Sequence, residues 1–277
     1  MSKVWFITGA TRGLGAEIAR AALAAGHTVV ATGRKPEALT QALGTSERLL
    51  TVALDVTVPG QAGEAVKAAL ARFGRIDVLV NNAGNVMIGA LEELSAAELE
   101  RQFTTNVLGL AAVTRAVLPT MRAQRSGHIL NMSSVAGLAG FAGASAYCAS
   151  KFAVEGLSES LAQEVAPLGI HVTLLEPGVF RTGFLTDASA TFSPQVIADY
   201  DATVGKARQA WRSGVVEQAG DPPKLAQAVL TLVASAQPPL HFVAGTDAVA
   251  TLDQALTLRR EELGRWRKLS ESLAHES

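Results

Sequence analysis

Lys3-Val-Trp-Phe-Ile-Thr-Gly9-Ala-Thr-Arg-Gly13-Leu-Gly15-Ala-Glu-Ile-Ala-Arg20 decides the fold. An apolar run from Val4 to Ile7 breaks at three glycines and restarts as a helical pattern through Ile18, Ala22 and Leu23. That order is a strand, a tight turn and a helix. Glycines let a backbone approach a pyrophosphate, and the free N–H groups of a helix start attract its charge. The spacing here is G-x-x-x-G-x-G, not the G-x-G-x-x-G of the common dinucleotide fingerprint. Read alone, the motif also suits a strand–helix turn that holds no ligand.

The alternation continues outward from this stretch. Strand-like runs fall at 4–7, 28–32, 49–54, 78–80, 129–132, 172–175 and 242–243. Helical patterns fall at 14–25, 36–43, 60–73, 95–123, 146–166 and 223–235. Strand and helix in turn predict an α/β fold, a doubly wound parallel sheet of about seven strands with helices on both faces. Ser95-Ala-Ala-Glu98 predicts a capping box.

Two segments depart from this pattern. In 183–220, Ser193-Pro194 predicts a helix start, and Val196, Tyr200, Val204, Ala207 and Trp211 follow as an apolar stripe. Such a stripe can dock the helix or cover a substrate. In 247–277, Leu252, Leu256, Leu263, Trp266 and Leu273 lie among many charges. They predict an amphipathic helix weakened at Gly264, for docking or oligomerisation rather than chemistry. Residues 1–277 are read as one domain with an insertion at 183–220 and a helical extension at 247–277, a length that suits one α/β domain.

Lys and Arg number 24 against 25 Asp and Glu, a formal charge of −1, so there is no basic excess for nucleic acid or an anionic membrane. The single cysteine, Cys148, excludes an internal disulfide and fits a reducing, cytoplasmic compartment. It reads as a buried small residue, not a nucleophile. Met1-Ser2-Lys3 leads straight into the first strand, with no signal peptide or span expected. The five histidines lack metal-ligand spacing, so no metal is expected, and His128 and His171 read as strand-edge residues.

Tyr147 and Lys151 stand four apart in Ala146-Tyr-Cys-Ala-Ser-Lys151, on one face of a helix. An ammonium beside a phenol favours the phenolate and is expected to lower the tyrosine pKa toward neutrality. A phenol so tuned exchanges a proton with an alcohol or carbonyl oxygen.

The chain resembles the short-chain dehydrogenase/reductase family, in its compact single-domain subgroup. The resemblance rests on Thr8-Gly-Ala-Thr-Arg-Gly-Leu-Gly15, Leu54-Asp55-Val56, Asn81-Asn-Ala-Gly84, the Ser134/Tyr147/Lys151 set, and Pro177-Gly178 with Thr182. It covers residues 3 to about 245 and is nearest the hydroxysteroid dehydrogenase and carbonyl reductase branch. It implies an NADP(H)-dependent oxidoreductase interconverting a carbonyl and an alcohol. The alternative is a catalytically silent NADP(H)-binding regulatory protein on the same fold. By resemblance, Tyr147 is general acid and base, and Lys151 tunes it and binds the nicotinamide ribose. Ser134 polarises the carbonyl, Ser133 competing for that role, and Asn106 holds a water that relays protons.

The resemblance also implies the cofactor site. Gly9, Thr11, Arg12, Gly13, Leu14 and Gly15 form the phosphate turn. Asp55 and Val56 meet the adenine, and Asn81, Ala83 and Gly84 lie by its ribose, Asn81 also bracing the next strand. Pro177, Gly178, backbone near Val179, and Thr182 orient the nicotinamide. Gly33 stands where an NAD site has an acid, and Arg34 and Arg12 stand near the place of a 2′-phosphate, so NADP(H) is expected. Phe184, Leu185, Phe192 and Trp211 favour a hydrophobic substrate. The family's pairing through 95–123 and 146–166 implies a homodimer or homotetramer.

Overall fold

Within the strand Val4–Ile7 (β1), Trp5 and Ile7 enter the core on one side of a sheet, and Val4 and Phe6 the core on the other. A strand buried on both faces is apolar at every position, which is why this run reads as continuous rather than alternating. The computed structural model describes residues 2–182, 190–213 and 219–275. After β1 come α1 (Gly13–Ala24), β2 (Thr28–Gly33), α2 (Pro36–Leu43), β3 (Leu49–Ala53), α3 (Gln61–Phe73) and β4 (Val78–Asn81). Next are β5 (Val86–Ile88), α4 (Ala96–Phe103), α5 (Leu110–Gln124), β6 (Gly127–Met132), α6 (Ser145–Val165), β7 (Ile170–Pro177) and β8 (Ala190–Phe192). The chain continues through α7 (Lys206–Ser213), α8 (Pro222–Ala234), β9 (His241–Ala244) and α9 (Thr246–Glu271).

Seven parallel strands form one sheet in the order β3-β2-β1-β4-β6-β7-β9. Helices α1 and α8 pack together over one face, while α3, α5 and α6 cover the other. The doubly wound Rossmann-like fold is therefore present. Strand order reverses between β1 and β4, and a crevice opens beyond their carboxyl ends. The glycine turn and Asn82 both sit there.

Three local readings differ from the structure. The helical pattern 95–123 is not continuous: a π-helical turn, Thr104–Gly109, separates α4 from α5. Such turns occur where a helix must re-aim a side chain. The capping box of Ser95 and Glu98 does start α4, each residue bonding the other's backbone N–H.

Ser193-Pro194 does not start a helix. Ser193 follows β8, which pairs with β5 in a separate two-stranded sheet, and its hydroxyl donates to the Glu93 carbonyl at 2.6 Å. Helical structure begins only with a 3₁₀ turn at Ala198–Tyr200 and becomes α-helical at Lys206. The apolar stripe therefore breaks: Val204 is buried and Val196 exposed.

Helix α9 runs unbroken through Gly264. One glycine costs about 1 kcal/mol, and its neighbours are good helix formers. His128 is not a strand-edge residue but is buried in β6, with Nε2 2.9 Å from the Thr173 hydroxyl. Burial pushes its pKa down to about 3.

Candidate active site

The glycine turn is held by polar groups from the far side of the crevice. The Thr8 hydroxyl accepts the N–H groups of Asn82 and Ala83, each at 3.0 Å. Asn82 Nδ2 in return donates to the carbonyls of Thr8 and Gly9 at 3.0 and 3.1 Å. Gly9 has φ +66, and a Cβ there would lie 3.0 Å from Ala83 Cα, so only glycine fits. Gly13, Leu14 and Gly15 open α1 after Arg12 and Thr11. That helix has no side-chain cap and no acid in its first turn. Its leading N–H groups are thus available to an anion. A Cβ on Gly13 would meet nothing nearer than Thr182 at 3.7 Å, which leaves room for a phosphate in the turn. The residues present fit a dinucleotide.

Asn81 points elsewhere, donating to Thr114 and Asn131 at 2.8 Å each, and braces β4 to α5 and β6. Gly84 approaches Asn106: a Cβ would stand 3.3 Å from Asn106 Oδ1. At the end of β2, Gly33 is buried, and a Cβ would lie 2.9 Å from the Thr11 methyl. An acidic side chain has no room there. Arg34 is exposed beside it. Burial opposes the charge of Asp55, but hydrogen bonds from Thr57 and the Arg34 charge outweigh it and hold the carboxyl below its ordinary pKa. Asp55 Oδ1 accepts from the Thr57 N–H and hydroxyl at 2.9 and 2.7 Å. The next residue, Val56, packs its side chain into the core on the α3 side of the sheet.

Tyr147 and Lys151 lie on α6, both buried. Ser134 is hydrogen-bonded to Tyr147 and also caps a 3₁₀ turn, accepting from Ala136 N at 3.1 Å. Ser133 faces away and donates to Glu155 Oε1. Lys151 Nζ stands 5.7 Å from the centre of the Tyr147 ring and donates to the Met132 carbonyl at 2.6 Å. The expected lowering of the tyrosine pKa is not found. Burial pushes Tyr147 up to about 12, against the Ser134 hydrogen bond, and pushes Lys151 down to about 8, with Glu155 opposing. The reason is geometric: the ammonium lies over the ring and toward a carbonyl, so desolvation of both groups exceeds their mutual attraction.

Asn106 sits in the π turn with its amide engaged at both ends. Oδ1 accepts from Asn85 N at 3.0 Å, and Nδ2 donates to Asn85 O and Ser150 Oγ at 3.0 and 3.1 Å. Pro177 ends β7, Gly178 follows it, and Thr182 comes near Gly13. The Val179 backbone, placed by resemblance near the nicotinamide, is engaged within the protein. Its N–H donates to Asp247 Oδ2 at 2.7 Å, and its carbonyl accepts from Gly220 N at 3.0 Å. Asp247, at the start of α9, lies far along the chain and carries no local signal.

Tyr147 borders an apolar cluster with Val86, Ile88, Ala144 and Cys148, against which Phe192 and Trp211 pack. Burial also pushes the Cys148 thiol pKa up, as for an inert packed residue. Phe184 and Leu185 lie outside the described residues. The segment carrying Phe192 and Trp211 is clamped by Glu93, which no sequence signal singled out. Its carboxylate accepts from Ala90 N and Ile197 N at 2.8 and 2.9 Å and pairs with buried Arg208. Burial opposes its charge, yet these partners hold its pKa below the ordinary value.

A nucleotide crevice ending at a buried tyrosine, serine and lysine defines the class as nucleotide-dependent oxidoreductases. Residues 3–192 match the model of the short chain dehydrogenase family, and the chain belongs to it. It is 43% identical over 272 residues to Oxidoreductase BOA17 of Botryotinia fuckeliana, covering 98% of each. A 3-alpha-(or 20-beta)-hydroxysteroid dehydrogenase of Mycobacterium tuberculosis is 40% identical over 185 residues, 66% of this chain and 70% of that one. Among solved structures, a short-chain dehydrogenase from Streptomyces avermitilis superposes with TM-score 0.93 at 43% identity, covering 99% of this chain and 100% of that one. A family member from Burkholderia phymatum in complex with NAD gives 0.79 at 28% identity, covering 93% and 95%.

Proposed function

We propose that this oxidoreductase uses NADP(H) to interconvert a carbonyl and a secondary or primary alcohol on a hydrophobic substrate. The observation that carries this reading is Tyr147, hydrogen-bonded to Ser134, beneath an apolar cluster and beside Lys151. The bound cofactor would supply or accept the hydride. Tyr147 gives its proton to the carbonyl oxygen in reduction and takes it back in oxidation. Ser134 donates a hydrogen bond to that oxygen and stabilises its developing charge. Lys151 binds the nicotinamide ribose and offsets charge on Tyr147 when the proton leaves. The Asn106 amide is fully engaged, so its main chain is what remains to hold a relaying water.

The preference for NADP(H) rests on the closed space at Gly33 and on Arg34 and Arg12 nearby. The hydrophobic substrate rests on Phe192 and Trp211 packing against the Tyr147 cluster, and the hydroxysteroid relative agrees with it. A homo-oligomer in the cytoplasm completes the reading, supported by the family's pairing and the single cysteine. The test is a spectrophotometric screen with NADPH against steroids, aromatic ketones, aldehydes and β-keto esters, then kcat/KM with NADH. Higher kcat/KM with NADH removes the cofactor assignment. Cofactor binding without turnover on the whole panel favours the silent regulatory reading.

A further inference from the structure

Glutamates from two elements converge on one histidine between α6 and the edge strand β9. Glu155 and Glu159 lie one turn apart on α6, Glu176 is on β7, and His241 opens β9. His241 Nδ1 is 2.7 Å from Glu176 Oε1 and 3.7 Å from Glu155 Oε2, and its Nε2 is 3.8 Å from Glu159 Oε1. One donor atom from each of Glu155, Glu159 and His241 lies within 4.8 Å of the other two. Histidine spacing along the chain carried no such signal, because the partners come from other elements of the fold.

Acidic groups at a surface are ordinarily satisfied by water. Here two of them are out of its reach. The Glu155 side chain is 8% exposed and that of Glu176 0%. The Oε2 atom of each finds no donor, and the two carboxyls face one another instead. Their Oε1 atoms are taken by the Ser133 hydroxyl and by His241. Leaving a buried carboxyl oxygen without a donor is costly. The imidazole does not remove that cost: Nδ1 serves Glu176, and 3.7 or 3.8 Å is too long for a hydrogen bond. Arg259 lines the same cavity, but its guanidinium is turned to the Leu138 carbonyl at 3.3 Å and lies over the Phe152 ring.

We propose that the Glu155 and Glu159 carboxylates and His241 Nε2 bind one zinc ion, with Glu176 as the carboxylate that orients the imidazole. When Nδ1–H donates to Glu176, Nε2 keeps its lone pair, the arrangement typical of a metal-bound histidine. Zinc bonds of about 2.0–2.1 Å place tetrahedral ligands about 3.4 Å apart. The exposed Glu159 side chain closes the difference by a small shift. A nitrogen ligand selects zinc over magnesium or calcium, which take oxygen. The adjoining groove, about 300 Å³ and lined by Gly137, Gly156 and Leu256, admits the ion and a water as fourth ligand. The ion would tie β9 to the helix that carries Tyr147 and Lys151, so its role is structural.

Calorimetry tests this on the full chain after EDTA treatment. Titrated zinc chloride should bind at one ion per chain, and saturation should raise Tm by about 5 °C. Magnesium chloride should bind at least tenfold more weakly. Cobalt(II) should give visible d–d absorption that His241→Gln abolishes. Glu159→Gln, at an exposed position, should keep the circular dichroism of the parent and weaken zinc binding at least tenfold. Absence of saturable zinc binding leaves a proton shared by Glu155 and Glu176 as the occupant and overturns the proposal. Zinc binding that both variants leave unaltered also overturns it, as does magnesium bound as tightly as zinc or cobalt absorption that survives His241→Gln.

Discussion

Ser133 and Ser134 are adjacent in the chain, but their hydroxyls enter separate networks. Ser134 bonds Tyr147, whereas Ser133 donates to Glu155, one turn beyond Lys151 on α6. Both follow the end of β6, and Ser134 keeps extended backbone, in which consecutive side chains face opposite sides, so one serine reaches Tyr147 and the other Glu155. Ser134→Ala should lower kcat by about 10²-fold or more, with little loss of thermal stability. Ser133→Ala should do the reverse, lowering Tm while leaving most turnover. Equal losses of kcat would refute the division.

Tyr147→Phe keeps the ring and removes the proton donor. Turnover should fall by at least about 10²-fold, while NADPH affinity, read by fluorescence titration, should change little. Turnover near the wild-type value removes Tyr147 from the mechanism.

The pH profile of reduction should be governed by Lys151. Its pKa of about 8 and that of Tyr147 of about 12 predict that kcat/KM declines above pH 8, long before the phenol ionises. Glu155 raises the Lys151 value, so Glu155→Gln should move this alkaline limb to lower pH. A profile flat to pH 10 in both proteins contradicts the assignment.

Glu155 also has a stability signature. Burial, against the Ser133 hydrogen bond, raises its pKa to about 7, and Glu176 is raised by burial too. A carboxyl with a raised folded-state pKa contributes stability below the ordinary glutamate pKa and loses it as pH rises through about 7. Gln at 155 can still accept from Ser133. Relative to wild type, Glu155→Gln should therefore gain Tm between pH 5 and 8, by roughly 2–4 °C per kcal/mol. A Tm difference independent of pH would show that the carboxyl does not titrate there.

Glu93→Ala should leave Arg208 buried without its partner. Breaking a buried pair in this way costs about 3–5 kcal/mol. Glu93→Gln/Arg208→Met should recover much of it. Because Glu93 also holds the segment carrying Phe192 and Trp211, KM for a hydrophobic substrate should rise more than kcat falls. Unchanged Tm and KM in Glu93→Ala would show that the clamp is unimportant.

Cofactor choice should resist a single substitution. Gly33→Asp brings Cβ against the Thr11 methyl and should lower Tm. Thr11→Ser/Gly33→Asp removes that methyl and should raise the NADH to NADPH ratio of kcat/KM at least tenfold. An unaltered ratio in the double variant means that the 2′ end of the nucleotide lies elsewhere.

Much of the fold was legible in the chain because its signals are local. Val4–Ile7, the glycine turn and Ile18, Ala22 and Leu23 each express a backbone preference or a helical period within a few residues, and seven strand runs separated by six helical patterns leave few topologies open. The spacing of Tyr147 and Lys151 likewise followed from helix geometry alone. What only the tertiary structure decided depends on groups distant in sequence. Asn82 reaches the Thr8 carbonyl, Asp247 occupies the Val179 N–H, and Glu93 meets Arg208. The tyrosine pKa belongs to this second kind. Spacing placed a cation near the phenol, but the depth of burial, which no local pattern encodes, set the sign of the shift.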